Sequence, residues 1–226
     1  MSHHTNIVRI KAVANALGNL KEKVVFVGGA TVSLYPDRAV FEVRPTDDVD
    51  VIIEMLNYAD RAELEEKLRS IGFTHDVESG VICRYKIQGI VVDIMPTNDR
   101  SIGFSNKWYP DGFTHAMDHV IDERCTVKIL SAPYFIATKL EAHKDRGDND
   151  GRTSQDFEDI VFVLENRSSI WEELANTEKS LNGYLREEFE GLLSNQAIYE
   201  WVDAHVERTS PPATDSIIEG MKKMIE

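Results

Sequence analysis

The chain has little cysteine, no long apolar run and a shortage of positive charge. Two of its 226 residues are cysteine, Cys83 and Cys125, and they stand far apart. That spacing excludes a disulfide framework and implies free thiols in a reducing compartment, a single bridge between the two being the alternative. No segment approaches the ~18 consecutive apolar residues of a membrane helix, and Met1 to Asn6 lack the apolar core of a signal peptide. The expectation is a cytoplasmic protein with no membrane partner. Lys and Arg number 25 against 39 Asp and Glu, a net charge of −14. Such a surface repels polyanions, so an RNA partner requires a local basic patch. Arg44, Lys139, Lys144 and Arg146 are the candidates for one, with Lys144 off the helix face that Lys139 and Arg146 share. The length suits one large or two small domains.

What the chain does have is acidic residues in ordered places. Residues 48–53 read Asp-Val-Asp-Val-Ile-Ile. Side chains two apart on a strand share a face, so Asp48 and Asp50 converge while Val49 and Val51 face the core. Asp47 falls on the opposite face. Thr46 shares the face of the pair and is expected to hydrogen-bond to a carboxylate, with Arg44 as a partner that orients it. A third carboxylate, Asp93, interrupts a second apolar run at residues 90–95. Hard oxygen ligands suit Mg²⁺, with Mn²⁺ as the alternative ion. Three carboxylates would serve two ions about 3.5–4 Å apart, as in phosphoryl transfer with two metals.

Upstream, residues 24–27 form an apolar, β-branched run that reads as a buried strand. Gly28 and Gly29 then open a segment, residues 30–35, that reads as a short helix. Glycines at such a turn let a backbone approach a phosphate, and free N–H groups at a helix start favour anions. Ser33 or Thr31 would add a hydroxyl. The same residues also suit a plain strand–turn–helix connection.

The rest of the chain divides in two. Residues 5–19 carry Ile7, Ile10, Val13, Ala14 and Leu17 at helical spacing. Residues 60–71 form a second predicted helix, ended by Gly72. Residues 80–87 and 89–95 read as strands joined at Gln88 and Gly89. Residues 97–112 read as a loop bearing Trp108 and Tyr109, which either stack on a base or anchor the loop. Residues 125–130 read as a last strand. From Ala132 the pattern is helical, broken at residues 147–151 and at Pro211 and Pro212. The predicted division is an α/β domain over residues 1–130 and a helical domain over residues 131–226.

In the second part, Lys139, Ala142, His143 and Arg146 fall at helical spacings of three and four and share a face, either aimed at a cleft between the domains or solvated. On the next predicted helix Phe157, Ile160, Val161 and Leu164 make an apolar stripe, with Asp156 and Asp159 off it. Ser154 suits an N-cap, which would explain Asp156 by the helix dipole. The alternative is that Asp156 orients Lys139 or a nucleotide.

Taken in order, the glycine pair, Arg44-Pro45-Thr46-Asp47-Asp48-Val49-Asp50 and the later Asp93 resemble the polymerase-beta-type nucleotidyltransferase superfamily, and more narrowly the AbiEii/AbiGii toxin nucleotidyltransferases. Residues 132–146, with Lys139, resemble that family's lysine-bearing helix, and residues 154–164 its following Asp-x-x-Asp helix. The resemblance spans roughly residues 20–166. Two departures stand out: nineteen positions separate Gly29 from Asp48, and Gln155 stands where a basic residue is expected. The resemblance implies a mixed sheet flanked by helices, α/β (α+β) in class, with a helical C-terminal region. It implies transfer of a nucleoside monophosphate from a nucleoside triphosphate such as ATP or GTP to an acceptor hydroxyl of RNA, protein or a small molecule, and a cognate antitoxin. Asp48, Asp50 and Asp93 would hold metal, Asp93 assisting deprotonation of the hydroxyl. Gly28, Gly29, Ser33, Lys139, Arg146 and Asp156 would bind nucleotide, Lys139 also serving catalysis. An aminoglycoside-type nucleotidyltransferase and a non-catalytic nucleotide-binding module are the alternatives.

Overall fold

A computed structural model describes residues 2–38, 43–55, 58–98, 106–148, 150–207 and 213–226. The chain forms two compact units, Met1–Leu34 with Phe41–Ser131, and Tyr35–Val40 with Ala132–Glu226.

The first unit is built on a seven-stranded mixed sheet flanked by helices. Helix α1 (Ser2–Leu17) buries Ile10, Val13, Ala14 and Leu17 at the predicted spacing. Strand β1 (Val24–Val27) is buried along its whole length, as a central strand of apolar residues must be. The predicted short helix is a 3-10 helix at Gly29–Leu34, with all six residues buried. Strand β2 (Asp48–Ile53) alternates as expected: Val49 and Val51 are fully buried while Asp48 and Asp50 are half-exposed. Helix α2 (Tyr58–Ser70) ends on Gly72, whose φ is +98°. The Phe73 N–H reaches the Leu68 carbonyl at 3.0 Å and the Gly72 N–H the Arg69 carbonyl at 3.2 Å, the paired bonds of a Schellman cap.

Strands β3 (Thr74–His75), β4 (Arg84–Ile87) and β5 (Ile90–Pro96) complete one side. Gln88 and Gly89 both have positive φ, +50° and +80°, so β4 and β5 meet in a two-residue type I′ hairpin. Strand β4 starts four residues later than predicted. Gly80 adopts φ +70° after a 3-10 turn at Val77–Ser79, and the Arg84 N–H bonds the Val81 carbonyl, so residues 80–83 turn instead of extending. Residues 109–114 form a short helix, α3 (Tyr109–Thr114), where a loop is predicted; Pro110 sits in its first turn, where no N–H is needed. Trp108 and Tyr109 are buried, which matches the anchoring alternative. The rest of the predicted loop, residues 99–105, lies outside the described residues, as do residues 39–42 of the long connection before β2 and the prolines at 211 and 212.

Strands β6 (Met117–Asp122) and β7 (Cys125–Ile129) form a second hairpin. The strand order is β3-β4-β5-β2-β1-β7-β6. Strand β2 is antiparallel to β1 and parallel to β5. Strand β6 is absent from the sequence reading because, as an edge strand, it lacks a buried face.

The second unit is helical: α4 (Ala132–Arg146), α5 (Gln155–Asn166), α6 (Ile170–Ala175), α7 (Lys179–Leu193), α8 (Ile198–Asp203) and α9 (Thr214–Ile225). Helix α4 packs on α5, α6 and α7. Ser154 caps α5, its hydroxyl accepting the Phe157 N–H at 3.3 Å. Residues 35–38 join this unit. The Tyr35 ring lies 4.5 Å from that of Phe135, and the Asp37 carboxylate accepts from the Ser168 N–H and hydroxyl at 2.9 and 2.6 Å. Sequence pattern predicts a clean break; this segment crosses it because its contacts, not its position along the chain, assign it. No helix among the described residues is long and apolar enough to cross a membrane.

Candidate functional site

The carboxylate cluster follows from strand register. In the parallel pair β2–β5, Asp50 stands beside Asp93 and Asp48 beside Val91. Period-two alternation then puts Asp48, Asp50 and Asp93 on one face. Each offers an oxygen, and these oxygens lie within 4.8 Å of one another. Asp47 points away: its side chain is fully exposed, 3.9 Å from Arg9. Like charges this close repel unless a cation joins them.

Arg84 is a cation that does so. It sits on β4 directly across from Asp93 in the antiparallel pair. Its Nε donates to Asp93 Oδ1 at 2.8 Å and its NH2 to Asp93 Oδ2 at 2.7 Å, a bidentate fork. The same NH2 lies 3.7 Å from Asp48 Oδ2. The hydrogen bond to Asp93 raises the guanidinium pKa beyond its ordinary value, so the charge is permanent. The sequence reading passes over Arg84. It was findable: the hairpin turn at Gln88 and Gly89 makes residue 87 pair with 90, and counting back three more pairs reaches 84 opposite 93.

The cluster's field reaches its neighbour. The Cys83 thiol, 7% exposed, is pushed up to about 11 by burial and then by the charges of Asp93 and Asp50. This thiol is a poor nucleophile and an inert packing group.

The glycine turn meets the cluster directly. Gly28 follows β1, whose last residue Val27 pairs with Asp50. Its φ is +72°, and a Cβ on it would stand 1.9 Å from Asp50 Oδ2. Glycine is needed there to admit the carboxylate as well as to make the turn. Thr31 closes the turn, its N–H and hydroxyl both donating to the Gly28 carbonyl at 3.3 and 2.8 Å. Gly29 is buried as the first residue of the 3-10 helix. Ser33 is 4% exposed and its hydroxyl accepts from Asn6 Nδ2 at 3.2 Å.

Asn6 is a second residue absent from the sequence reading. Fully buried, it also donates to the Arg44 carbonyl at 3.0 Å and accepts from the Thr46 N–H and hydroxyl at 3.2 and 3.4 Å. One side chain thus ties α1, the glycine-turn helix and the approach to β2. Thr46 donates to the Asp48 backbone carbonyl at 3.2 Å, not to a carboxylate as predicted. A guanidinium on the cluster comes from Arg84, because β4 pairs alongside β5.

In the second unit α4 and α5 bring Lys139, Arg146 and Asp156 together, with Asp159. Lys139 is 5% exposed; its ammonium lies 2.9 Å from Asp156 Oδ1 and 2.7 Å from Asp159 Oδ2. Burial opposes its charge, but the two carboxylates more than offset this and raise its pKa. Arg146, largely exposed, forks onto Asp156 at 2.8 and 3.0 Å. Burial alone would raise the Asp156 carboxyl; Arg146 and Lys139 bring it down to about 2. His143 is buried against Ser154 at 2.8 Å, and burial lowers its pKa. Lys144 pairs with Glu141 and Glu188 at 2.9 and 2.7 Å. Of the four candidates for a basic patch, Lys139, Lys144 and Arg146 are therefore matched by carboxylates.

No curated protein matches the chain. Three carboxylates gathered by adjacent strands at a glycine turn, followed by a lysine helix and an Asp-x-x-Asp helix, agree with a family match that spans most of the sequence. With its model matched over residues 12–210, the chain belongs to the family of the nucleotidyl transferase AbiEii toxin of type IV toxin–antitoxin systems.

Proposed function

We propose that this nucleotidyltransferase is metal-dependent and moves a nucleoside monophosphate from a nucleoside triphosphate to an acceptor hydroxyl of RNA or protein. The acceptor oxygen bonds to the α-phosphorus, the bond from that phosphorus to the bridging oxygen breaks, and pyrophosphate leaves. The observation that carries this reading is the convergence of Asp48, Asp50 and Asp93 within 4.8 Å. Their oxygens are hard donors on adjacent strands, those of Asp48 and Asp50 half-exposed and those of Asp93 buried, and so fit Mg²⁺ or Mn²⁺. Bound there, the ion would supply charge neutralisation and activate the attacking oxygen.

Asp48 and Asp50 hold the ion in this reading. The hydroxyl proton passes to Asp93, whose oxygens keep lone pairs beyond the two that Arg84 uses. The turn at Gly28 and Gly29 lies against Asp50, so a phosphate brought to the cluster meets backbone there. Ser33, held by Asn6, supports that turn. In the second unit Lys139, Arg146 and Asp156 are the nucleotide-binding residues proposed, with Asp156 and Asp159 aligning the lysine. A cytoplasmic location and a cognate antitoxin belong to the same reading.

A small cationic acceptor of the aminoglycoside kind is the second reading, favoured by the net charge of −14. One experiment separates the two. The protein is incubated with Mg²⁺ and each of four labelled nucleoside triphosphates against total RNA, lysate protein and purified aminoglycosides, with Asp48→Ala/Asp50→Ala as control. Label in RNA or protein, lost in the control, is the expected result. Label in aminoglycoside alone selects the second reading. Label in none of the three, with Mg²⁺–nucleotide still bound, overturns both; with nothing bound, the chain is a non-catalytic member of its family.

A further inference from the structure

Asn6, on helix α1, is fully buried and commits its whole amide to other elements. Its Nδ2 donates to the Ser33 hydroxyl at 3.2 Å and to the Arg44 carbonyl at 3.0 Å. Its Oδ1 accepts from the Thr46 N–H at 3.2 Å and from the Thr46 hydroxyl at 3.4 Å. An amide side chain has two N–H donors and one oxygen with two lone pairs, so these bonds use its full capacity. A buried polar group satisfied in this way holds its partners rigidly. The four bonds also close a loop. The chain leaves the sheet-bearing unit after Leu34 and rejoins it at Phe41. Ser33 stands just before the departure, and Arg44 and Thr46 just after the return, so one side chain joins both ends of the excursion. On one side of this joint the 3-10 helix runs back to Gly28, where a Cβ would stand 1.9 Å from Asp50 Oδ2. On the other, the Thr46 hydroxyl reaches the carbonyl of Asp48, the first residue of β2, at 3.2 Å. Asn6 precedes the stretch that matches the family, yet it closes the long connection between Gly29 and Asp48.

We infer that Asn6 is a positioning residue for nucleotidyl transfer. It clips the excursion shut and so fixes the glycine turn against the strand that carries Asp48 and Asp50. This rests on the reading above, in which a nucleoside triphosphate meets both the turn and the carboxylate cluster. Loosening their spacing then weakens the hold on the nucleotide. A merely structural Asn6 would keep α1 in place and leave the KM of the nucleotide unmoved.

The test compares the wild type with Asn6→Ala and Thr46→Val. Amide hydrogen exchange is followed without ligand, and transfer kinetics with Mg²⁺, the four labelled nucleoside triphosphates and the same acceptor pools. Asn6→Ala is expected to speed exchange in residues 29–34 and 44–48 together, with β1 and β5 unchanged. The KM of the incorporated nucleotide is expected to rise ~10-fold or more, since an ångström of misplacement costs up to ~10²-fold. A smaller folded fraction would instead lower the apparent kcat and leave KM alone. Thr46→Val nearly keeps the shape and removes the hydroxyl that Asn6 and Asp48 share. It is expected to move KM the same way by less. A wild-type KM in Asn6→Ala overturns the inference, as does faster exchange confined to α1 or spread evenly over the sheet. Should Asn6→Ala fail to fold, a wild-type KM in Thr46→Val overturns it. No transfer by the wild-type chain overturns it together with the reading it rests on.

Discussion

Each unit of this protein holds a cluster of mixed charge, and the two clusters are balanced differently. On the sheet, Asp48, Asp50 and Asp93 gather about Arg84, with Asp48 and Asp50 half-exposed. Between α4 and α5, Asp156 and Asp159 face Lys139 and Arg146, and three of these four are buried. The first cluster sets three carboxylates beside one guanidinium, two of the carboxylates within reach of water. The second is matched, charge for charge. A buried charge that lost its partner would cost several kcal/mol, so the helical cluster had to be balanced for the unit to fold. The half-exposed carboxylates of the sheet cluster are under less of that demand, and the three together could hold a divalent ion.

Substitutions should separate the two. Asp50→Ala is expected to reduce nucleotidyl transfer by ~10³-fold or more, the order lost when a group stabilising transition-state charge is removed, with the melting temperature unchanged or raised. Retained transfer in the purified variant would end the assignment of the cluster as the active centre. Lys139→Ala is expected to act on folding: it strands two buried carboxylates and should cost ~3–5 kcal/mol in urea denaturation. A variant as stable as wild type would show that the helical cluster is not a structural ion group.

Acid sharpens the contrast. The Asp156 carboxyl lies at about 2 in the folded protein against an ordinary 3.8. A carboxyl depressed on folding stabilises above its unfolded pKa and ceases to as pH falls through the folded one. Stability should therefore drop by about 2 kcal/mol between pH 4 and pH 2, at ~1.4 kcal/mol per unit. A Lys139→Met/Asp156→Asn variant measured over the same range should show a shallower fall. The smallest effect is expected at Asp47→Ala. This residue adjoins the pair but is fully exposed on the other face, so transfer should be unchanged and stability within ~0.5 kcal/mol. A loss of transfer there would break the face argument for Asp48 and Asp50.

How much was legible depended on the range of the interaction. Asp48 and Asp50 were readable because strand alternation is local. Asp93 stood out because an acid in an apolar run demands a reason. Arg84 escaped because its partner lies across a hairpin, although the turn residues carried enough information to place it. Ser33 and Gly29 were chosen for chemistry that suits a surface turn, and their burial was invisible without the helix α1 that covers them. Asn6 gave no signal, since one asparagine on an amphipathic helix is unremarkable until its four hydrogen bonds to Ser33, Arg44 and Thr46 are seen.

The amino-acid sequence by itself determined the alternating strands, the glycine turn, the helical second half and the acidic surface, because each follows from periodicity, backbone freedom or composition within a few residues. Tertiary structure alone decided that β5 lies beside β2 in the register that joins Asp93 to Asp50, that Arg84 supplies a cation to the cluster, and that Lys139 is buried between two carboxylates. Those outcomes depend on pairings between distant segments, where the energy of a charge is set by what packs around it and not by its neighbours along the chain.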